Sequence, residues 1–181
     1  MEFEFTSDNL ALDFAGTRMY RETAPHERLA APGHFAEWTR AAGLVDTRFA
    51  VDRAGFDGAL VLREAIYRAA RAVLRGGEPA EADRRLLNRL AEVPPVRPRL
   101  LGTGRLTRQG DLDSMLSTIA RSAIDLLGGE DRTRLRGCLG AGCTRMFVDR
   151  SRAGSRRWCG MAVCGSRAKA AAYRRRKRAT S

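Results

Sequence analysis

The sequence contains no long apolar run, and this absence is the first constraint on what the protein can be. No segment reaches the roughly 18 consecutive apolar residues that a membrane-spanning helix requires. The first nine residues, MEFEFTSDN, are acidic and lack the apolar core of a secretory signal. We therefore expect a cytoplasmic protein without a membrane partner, in a compartment where thiols stay reduced.

Acidic residues are almost absent from the C-terminal region. Residues 1–131 contain 18 basic and 20 acidic side chains, whereas residues 132–181 contain 15 basic side chains and one acid, Asp149. Such an asymmetry predicts a polyanionic partner for the C-terminal region. The alternative is a basic face that contacts only solvent. Arginine accounts for 31 of the 33 basic residues, which indicates a compositional bias rather than a binding requirement. That bias explains why the basic residues are arginine rather than lysine, but it does not explain why acidic residues are almost absent from this region.

Most of the chain before residue 130 has a helical pattern. Apolar residues recur at helical spacing in residues 33–46, 56–77, 78–95 and 111–129. Residues 9–17, NLALDFAGT, fit either a strand or the start of a helix. Alternation of apolar and polar residues around Gly102 to Gly104 predicts a hairpin. The fold class expected is therefore mainly α with a small β-hairpin.

A change of composition divides the chain into two predicted domains. The turn-forming segment GGEDRTR, residues 128–134, coincides with the charge shift. We predict a helical domain at residues 1–130, acting as a sensor or an oligomerisation unit, and a small basic module at residues 131–181.

All four cysteines lie in the basic module, in two pairs. Cys138 and Cys143 are separated by four residues, as are Cys159 and Cys164, and fifteen residues lie between the pairs. Two pairs on turns joined by a loop suit a tetrahedral four-cysteine zinc site. A thioredoxin-like redox pair would have two intervening residues, and disulfides would need an oxidising compartment, but both readings stay as alternatives. Between the pairs, residues 145–158 predict a hairpin.

The predicted zinc is structural. A module this small with few large apolar side chains needs an additional source of folding energy, and zinc supplies on the order of 10–16 kcal/mol in finger peptides. Four protein ligands leave no coordination position for water or substrate. The chain also shows no nucleophile–base pair, phosphate loop or paired carboxylates, so we expect one structural Zn²⁺ and no enzymatic activity.

Two stretches resemble known families. The segment from Cys138 to Arg176 resembles the CGNR zinc finger, and residues 10–17 with the helical region after them resemble the ABATE domain. The resemblance implies a bacterial, stress-induced transcription regulator whose finger, a treble-clef or ribbon-like module of a hairpin and a basic helix, binds DNA. The chain departs from the family at Ser166, where the finger has its name-giving asparagine, and at Gly16, where the N-terminal motif usually has asparagine. If this position caps the following helix, the change has little effect, because serine and asparagine cap helices about equally well. If the asparagine of the family contacts a DNA base, the sequence specificity of this chain should differ.

The end of the chain predicts a basic helix. Residues 166–178 are rich in alanine, and helical geometry places Arg167, Arg174 and Arg178 on one side. Most of the arginines should contact phosphates rather than bases. The predicted nucleic-acid contacts are Arg150, Arg152, Arg156, Arg157, Arg167, Lys169, Arg174, Arg175 and Arg178. Duplex DNA is the expected partner, and structured RNA or the ribosome is the alternative because a basic zinc ribbon suits either.

The N-terminal domain offers weaker signals. Asp13 and Thr17 are candidates to line a ligand pocket, and a buried turn or cap is the alternative. A small-molecule ligand of this domain, a homo-oligomer, and an N-terminal enzyme that the finger only localises are the remaining hypotheses.

Overall fold

The computed structural model describes residues 3–46 and 49–179, except for the side chains of Val163, Arg175, Arg178 and Ala179. The α-helices of this part are α1 Leu10–Ala15, α2 Pro32–Ala41, α3 Arg53–Leu74, α4 Glu81–Glu92, α5 Leu112–Gly128 and α6 Ser166–Ala179. The strands are β1 Arg18–Met19, β2 His26–Glu27, β3 Arg97–Leu100, β4 Leu106–Gln109, β5 Leu135–Gly137 and β6 Met146–Val148. They form three antiparallel hairpins, β1–β2, β3–β4 and β5–β6. The predicted class, mainly helical with small hairpins, is confirmed.

Side-chain caps fix where three helices begin. Asn9, Asp52 and Asp111 each accept a hydrogen bond from a backbone N–H in the first turn, at 3.1, 2.8 and 2.9 Å respectively. The cap at Asp52 starts α3 at Arg53, three residues before the predicted start. The cap at Asn9 also resolves the ambiguous segment at residues 9–17 as a helix.

The core lies where α1, α3, α4 and α5 meet. Side chains such as Leu62, Ile66 and Ile119 are fully buried there. An aromatic cluster fixes α2 against α1, with the Phe14 ring centroid 4.9 Å from that of Trp38. None of the helices in the described ranges is both long enough and apolar enough to cross a bilayer.

A charge cluster around the buried Arg63 joins α3 to the β1–β2 hairpin. The guanidinium of Arg63 is almost fully buried and donates two hydrogen bonds to the Glu27 carboxylate, at 2.6 and 2.7 Å, and one to Glu64 at 2.9 Å. Arg21 donates to the same Glu64 at 3.2 Å. Burial raises the pKa of Glu64, but the two arginines outweigh it, so the pKa lies below its ordinary value.

The hairpin predicted between the two cysteine pairs is wrong. The first apolar stretch of the predicted hairpin does form a strand, β6, but this strand pairs with β5, which precedes Cys138. The first cysteine pair therefore lies at the tip of the β5–β6 hairpin. After β6 the chain forms a turn instead of a strand. There the Asp149 carboxylate accepts hydrogen bonds from the backbone N–H groups of Ser151 and Arg156, both at 2.9 Å.

Strand β6 is shared between two packing clusters because side chains alternate along a strand. Met146 and Val148 face the helices and belong to the same apolar cluster as α1, α3 and α5. Phe147 faces the other way and packs against the cysteines. The backbone N–H of Val148 also donates to the carbonyl oxygen of Ser7 at 2.8 Å, so the finger is attached to the helical part along this strand.

Candidate functional site

The four cysteines converge on one point. Their sulfur atoms all lie within 4.8 Å of one another. The Sγ of Cys159 is 3.9 Å from that of Cys143 and 3.6 Å from that of Cys164. Zinc–sulfur bonds of about 2.3 Å at tetrahedral angles would separate the sulfurs by about 3.8 Å. The cluster therefore fits one Zn²⁺ with four thiolate ligands.

Glycines allow the chain to pass this close to itself. Gly142, between the first two ligands, has a φ of +68°, a conformation that favours glycine. A Cβ on Gly140 would lie 2.9 Å from the Sγ of Cys164. In the second pair, Cys159 lies just before a single π-helical turn, Met161–Gly165, and Cys164 lies within this turn, which leads directly into α6. Each pair is thus held by local backbone geometry.

Backbone N–H groups and neighbouring thiols act on Cys138. Its Sγ accepts hydrogen bonds from the N–H groups of Cys159 at 3.3 Å and Gly140 at 3.4 Å. Hydrogen bonds from the thiols of Cys143 and Cys159 lower the pKa of Cys138 to about 2. The same interactions raise the pKa of both donors, that of Cys143 to about 12. A metal must displace these retained protons, so zinc binding weakens as the pH falls.

Arg145 supplies positive charge beside the thiolates, and sequence reasoning missed it. Its side chain is only 7% exposed and forms an ion pair with Glu4. Burial lowers the pKa of Arg145, but the ion pair with Glu4 and the electrostatic effect of the sulfur groups of Cys159 and Cys143 outweigh it, so the pKa lies above its ordinary value. The sequence does contain a signal for this position. Side chains alternate along a strand, so Arg145 lies on the same side as Phe147, which packs against the cysteines.

Six of the nine predicted nucleic-acid residues lie exposed on the finger, and two of these six, Arg150 and Arg167, also bond to other residues of the protein. The other four are Arg152, Arg157, Lys169 and Arg174. The guanidinium of Arg157 lies over the Trp158 ring, 5.3 Å from its centroid. Arg150 is half exposed and forms an ion pair with Asp131 at 2.6 Å.

Arg156 is only partly exposed, and its guanidinium is bonded within the protein rather than free on the predicted basic surface. Its guanidinium donates to the carbonyl oxygens of Trp158 at 3.0 Å and Cys159 at 2.6 Å and lies over the Phe147 ring. It also forms an ion pair with Asp8 at 2.5 Å. Because its donors already have partners, we assign Arg156 to holding the second cysteine pair against the N-terminal segment.

Arg167 also contacts the N-terminal domain. It lies in the first turn of α6, and its Nη1 donates to the Tyr20 hydroxyl at 2.8 Å. Tyr20 has a φ of +52°, an uncommon left-handed conformation for a non-glycine residue. The side chains of Arg175 and Arg178, also predicted contacts, lie outside the described part of the structure.

Asp13 and Thr17 have partners within the protein. The Oδ1 of Asp13 accepts hydrogen bonds from the backbone N–H groups of Thr6 and Ser7, both at 2.9 Å. The Thr17 hydroxyl donates to the carbonyl oxygen of Phe14 at 2.7 Å and is buried. Both side chains therefore stabilise turns around α1, and a role for them in ligand binding stays a prediction.

Comparison with known proteins identifies two family matches. Residues 8–130 match the model of the ABATE family, described as "Putative stress-induced transcription regulator". Residues 134–177 match the CGNR zinc finger. No curated protein matches the chain significantly. The finger match and the cysteine cluster together confirm the expectation of one structural zinc ion.

Proposed function

Because the chain belongs to the ABATE family and carries a CGNR zinc finger, we propose that it is a transcription regulator that binds duplex DNA through its finger. We place it in the cytoplasm, at the nucleoid. We also propose that it is not an enzyme, since four thiolates fill the coordination sphere of zinc.

The main support for the proposal is that the charged side chains exposed on the finger are positive. Arg152, Arg157, Lys169 and Arg174 are all exposed. The only acid of residues 132–181, Asp149, is buried, and its carboxylate accepts hydrogen bonds from Ser151 and Arg156. Among the described residues from 132 onwards, the exposed charged side chains are therefore all cations. A surface of this kind attracts the phosphates of a nucleic acid.

The zinc would have an indirect role in this binding. The second cysteine pair leads directly into α6, so the metal would fix where the helix begins relative to the β5–β6 hairpin. The cations of α6 and those of the preceding loop would then keep a constant spacing, which favours simultaneous contact with several phosphates.

The test measures the affinity of the full-length, zinc-loaded protein for duplex DNA at several salt concentrations. Each phosphate contact contributes about −0.9 to the slope of log K against log salt. Replacing Arg157, Lys169 and Arg174 together with glutamine should therefore reduce the slope by about 2.7. The matched control removes three exposed arginines of the helical domain, Arg40, Arg84 and Arg89, and should leave the slope almost unchanged.

Two results would contradict the proposal. One is a wild-type protein that binds structured RNA but not duplex DNA in the same assay, which would favour the RNA alternative. The other is a finger variant with normal zinc content whose affinity and salt slope equal those of the control variant.

A further inference from the structure

The β3–β4 hairpin is an exposed arm whose apolar residues the fold does not use. All four residues of β3 are exposed. At its tip, Leu100 is 77% exposed and its cross-strand partner Leu106 is 47% exposed. Burial in the core therefore does not account for these leucines, and a two-stranded hairpin with no further packing is marginally stable in water.

The root of the arm is fixed to the body. The backbone N–H of Val96 donates to the Thr118 hydroxyl of α5 at 3.0 Å. On the outer edge of β4, the N–H of Arg108 donates to the Asp46 carboxylate at 2.6 Å. From Val96 to Gly102 the arm extends about 20 Å at the usual rise of a strand.

The arm carries positive charge only. Between Glu92 and Asp111 the sequence contains four arginines and no acid; the arginines are Arg97, Arg99, Arg105 and Arg108. Arg99 and Arg105 are exposed, and neither forms an ion pair with another residue of the part of the chain that the structure describes. Strand alternation places Arg97 and Arg99 on one face and Pro98 and Leu100 on the other. The arm therefore combines a cationic face with an apolar tip.

A second copy of the chain is a poor occupant for this surface. In the β3–β4 register, Pro98 occupies a position whose N–H would point away from β4, and proline has no N–H to offer another strand. The outer edge of β4 is bonded to Asp46. Two copies meeting here would also bring four arginines against four.

We infer that the β3–β4 arm is a second nucleic-acid contact, with Arg99 and Arg105 on phosphates and the leucine tip against a groove of duplex DNA. This inference rests on the proposed function. A two-stranded ribbon fits the major groove, and leucine or proline wedges are used in the minor groove. Pro95 at the root of the arm and Arg150 of the finger line the same surface cleft, so the arm begins beside the finger. The cleft also carries the carboxylates of Asp125, Glu130 and Asp131, so the duplex would contact the exposed arginines rather than the cleft itself.

The test uses two variants of the full-length, zinc-loaded protein. Replacing Arg99 and Arg105 with glutamine should lower the salt slope of duplex binding by about 1.8. Replacing Leu100 and Leu106 with serine should weaken binding by about tenfold and leave the slope unchanged, because apolar contact is lost without charge. Both variants should keep the zinc content and thermal unfolding of the wild type, since all four side chains are exposed. The control replaces Arg84 and Arg89 of α4 with glutamine.

The outcomes separate this inference from the proposed function. If the wild type binds duplex DNA and both arm variants match the control, the arm inference is wrong and the proposed function stands. If the wild type does not bind duplex DNA at all, the proposed function fails first. If sedimentation shows a wild-type dimer that the leucine variant converts to monomers, with duplex affinity per chain unchanged, the arm is an oligomer contact and the inference is overturned.

Discussion

Replacing Arg145 with methionine should weaken zinc binding without removing any zinc ligand. Zn²⁺ with four thiolates carries a formal charge of −2, and Arg145 is a buried cation beside Cys143 and Cys159. Methionine keeps the apolar stem and volume but removes the charge. The variant therefore tests the electrostatic contribution and leaves most of the packing intact.

The expected size follows from two contacts. Loss of an outer-sphere partner typically costs 10–100-fold in metal affinity. The variant also breaks the ion pair with Glu4, whose side chain is 30% exposed and keeps a second partner in Arg28 at 3.4 Å. Breaking a fully buried pair costs about 3–5 kcal/mol, so the exposure of Glu4 reduces the expected loss of folding stability to about 1–2 kcal/mol.

The assay is competition for zinc between the protein and a chromophoric chelator, with calorimetric unfolding of the zinc-loaded protein alongside it. Arg152→Met is the control, because it removes one exposed arginine from the same module. Arg145→Lys should recover part of the affinity, since it restores the charge. Equal zinc affinities for Arg145→Met and Arg152→Met would refute the assignment of Arg145 as the counter-charge.

Two further substitutions test charged groups that the fold covers wholly or partly, Glu64 in the helical domain and Arg145 in the finger. Since Arg21 and Arg63 hold the pKa of Glu64 below its ordinary value near 4.5, the carboxylate stabilises the fold above that pH and loses this effect as the pH falls. Glu64→Gln should therefore lower the free energy of unfolding at pH 7 and flatten its decline below pH 4.5, as measured by urea titration at each pH; an unchanged acid limb would contradict this. The Nε of Arg145 is buried without a described acceptor, and a Cβ on Gly16 would lie 3.6 Å from it. Gly16→Asn should unfold at a higher temperature than Gly16→Ala by the equivalent of about 1 kcal/mol, because only asparagine offers that nitrogen an acceptor; equal melting temperatures would contradict it.

The parts of the structure that were predictable from sequence are those set by local rules. The helices follow the 3.6-residue apolar period, and capping residues such as Asp52 and Asp111 fix their starts. The cysteine cluster was predictable because each pair needs only a turn, and zinc chemistry dictates the rest. The β3–β4 hairpin was predictable for the same reason, since its glycine-rich turn and strands are contiguous.

The parts that were missed depend on contacts distant in sequence. The partner of β6 is β5, three residues of weak strand character, and their pairing reflects the packing of Leu135 and Met146 against the helices. Arg145 and Arg156 find their carboxylate partners in the N-terminal segment, 141 and 148 residues away along the chain. Strand alternation places Arg145 on the side of Phe147 but does not reveal its acidic partner, and no local pattern distinguishes Arg156 from exposed arginines such as Arg152.

The division at residue 131 remains a prediction, and the shared strand gives it a physical meaning. Leu135, Met146 and Val148 are buried in the cluster formed by the helices, and burying a side chain of this kind contributes about 1.5–3 kcal/mol. A helical domain without the finger would have to leave the matching apolar surface exposed. Phe147, between two of these residues, packs on the cysteines, so β6 cannot leave the metal cluster without also withdrawing Met146 and Val148 from the core. Four converging thiolates bind zinc more tightly than the cysteines of an unfolded chain do, and by mass action zinc should therefore stabilise the packing of the helices as well as the finger.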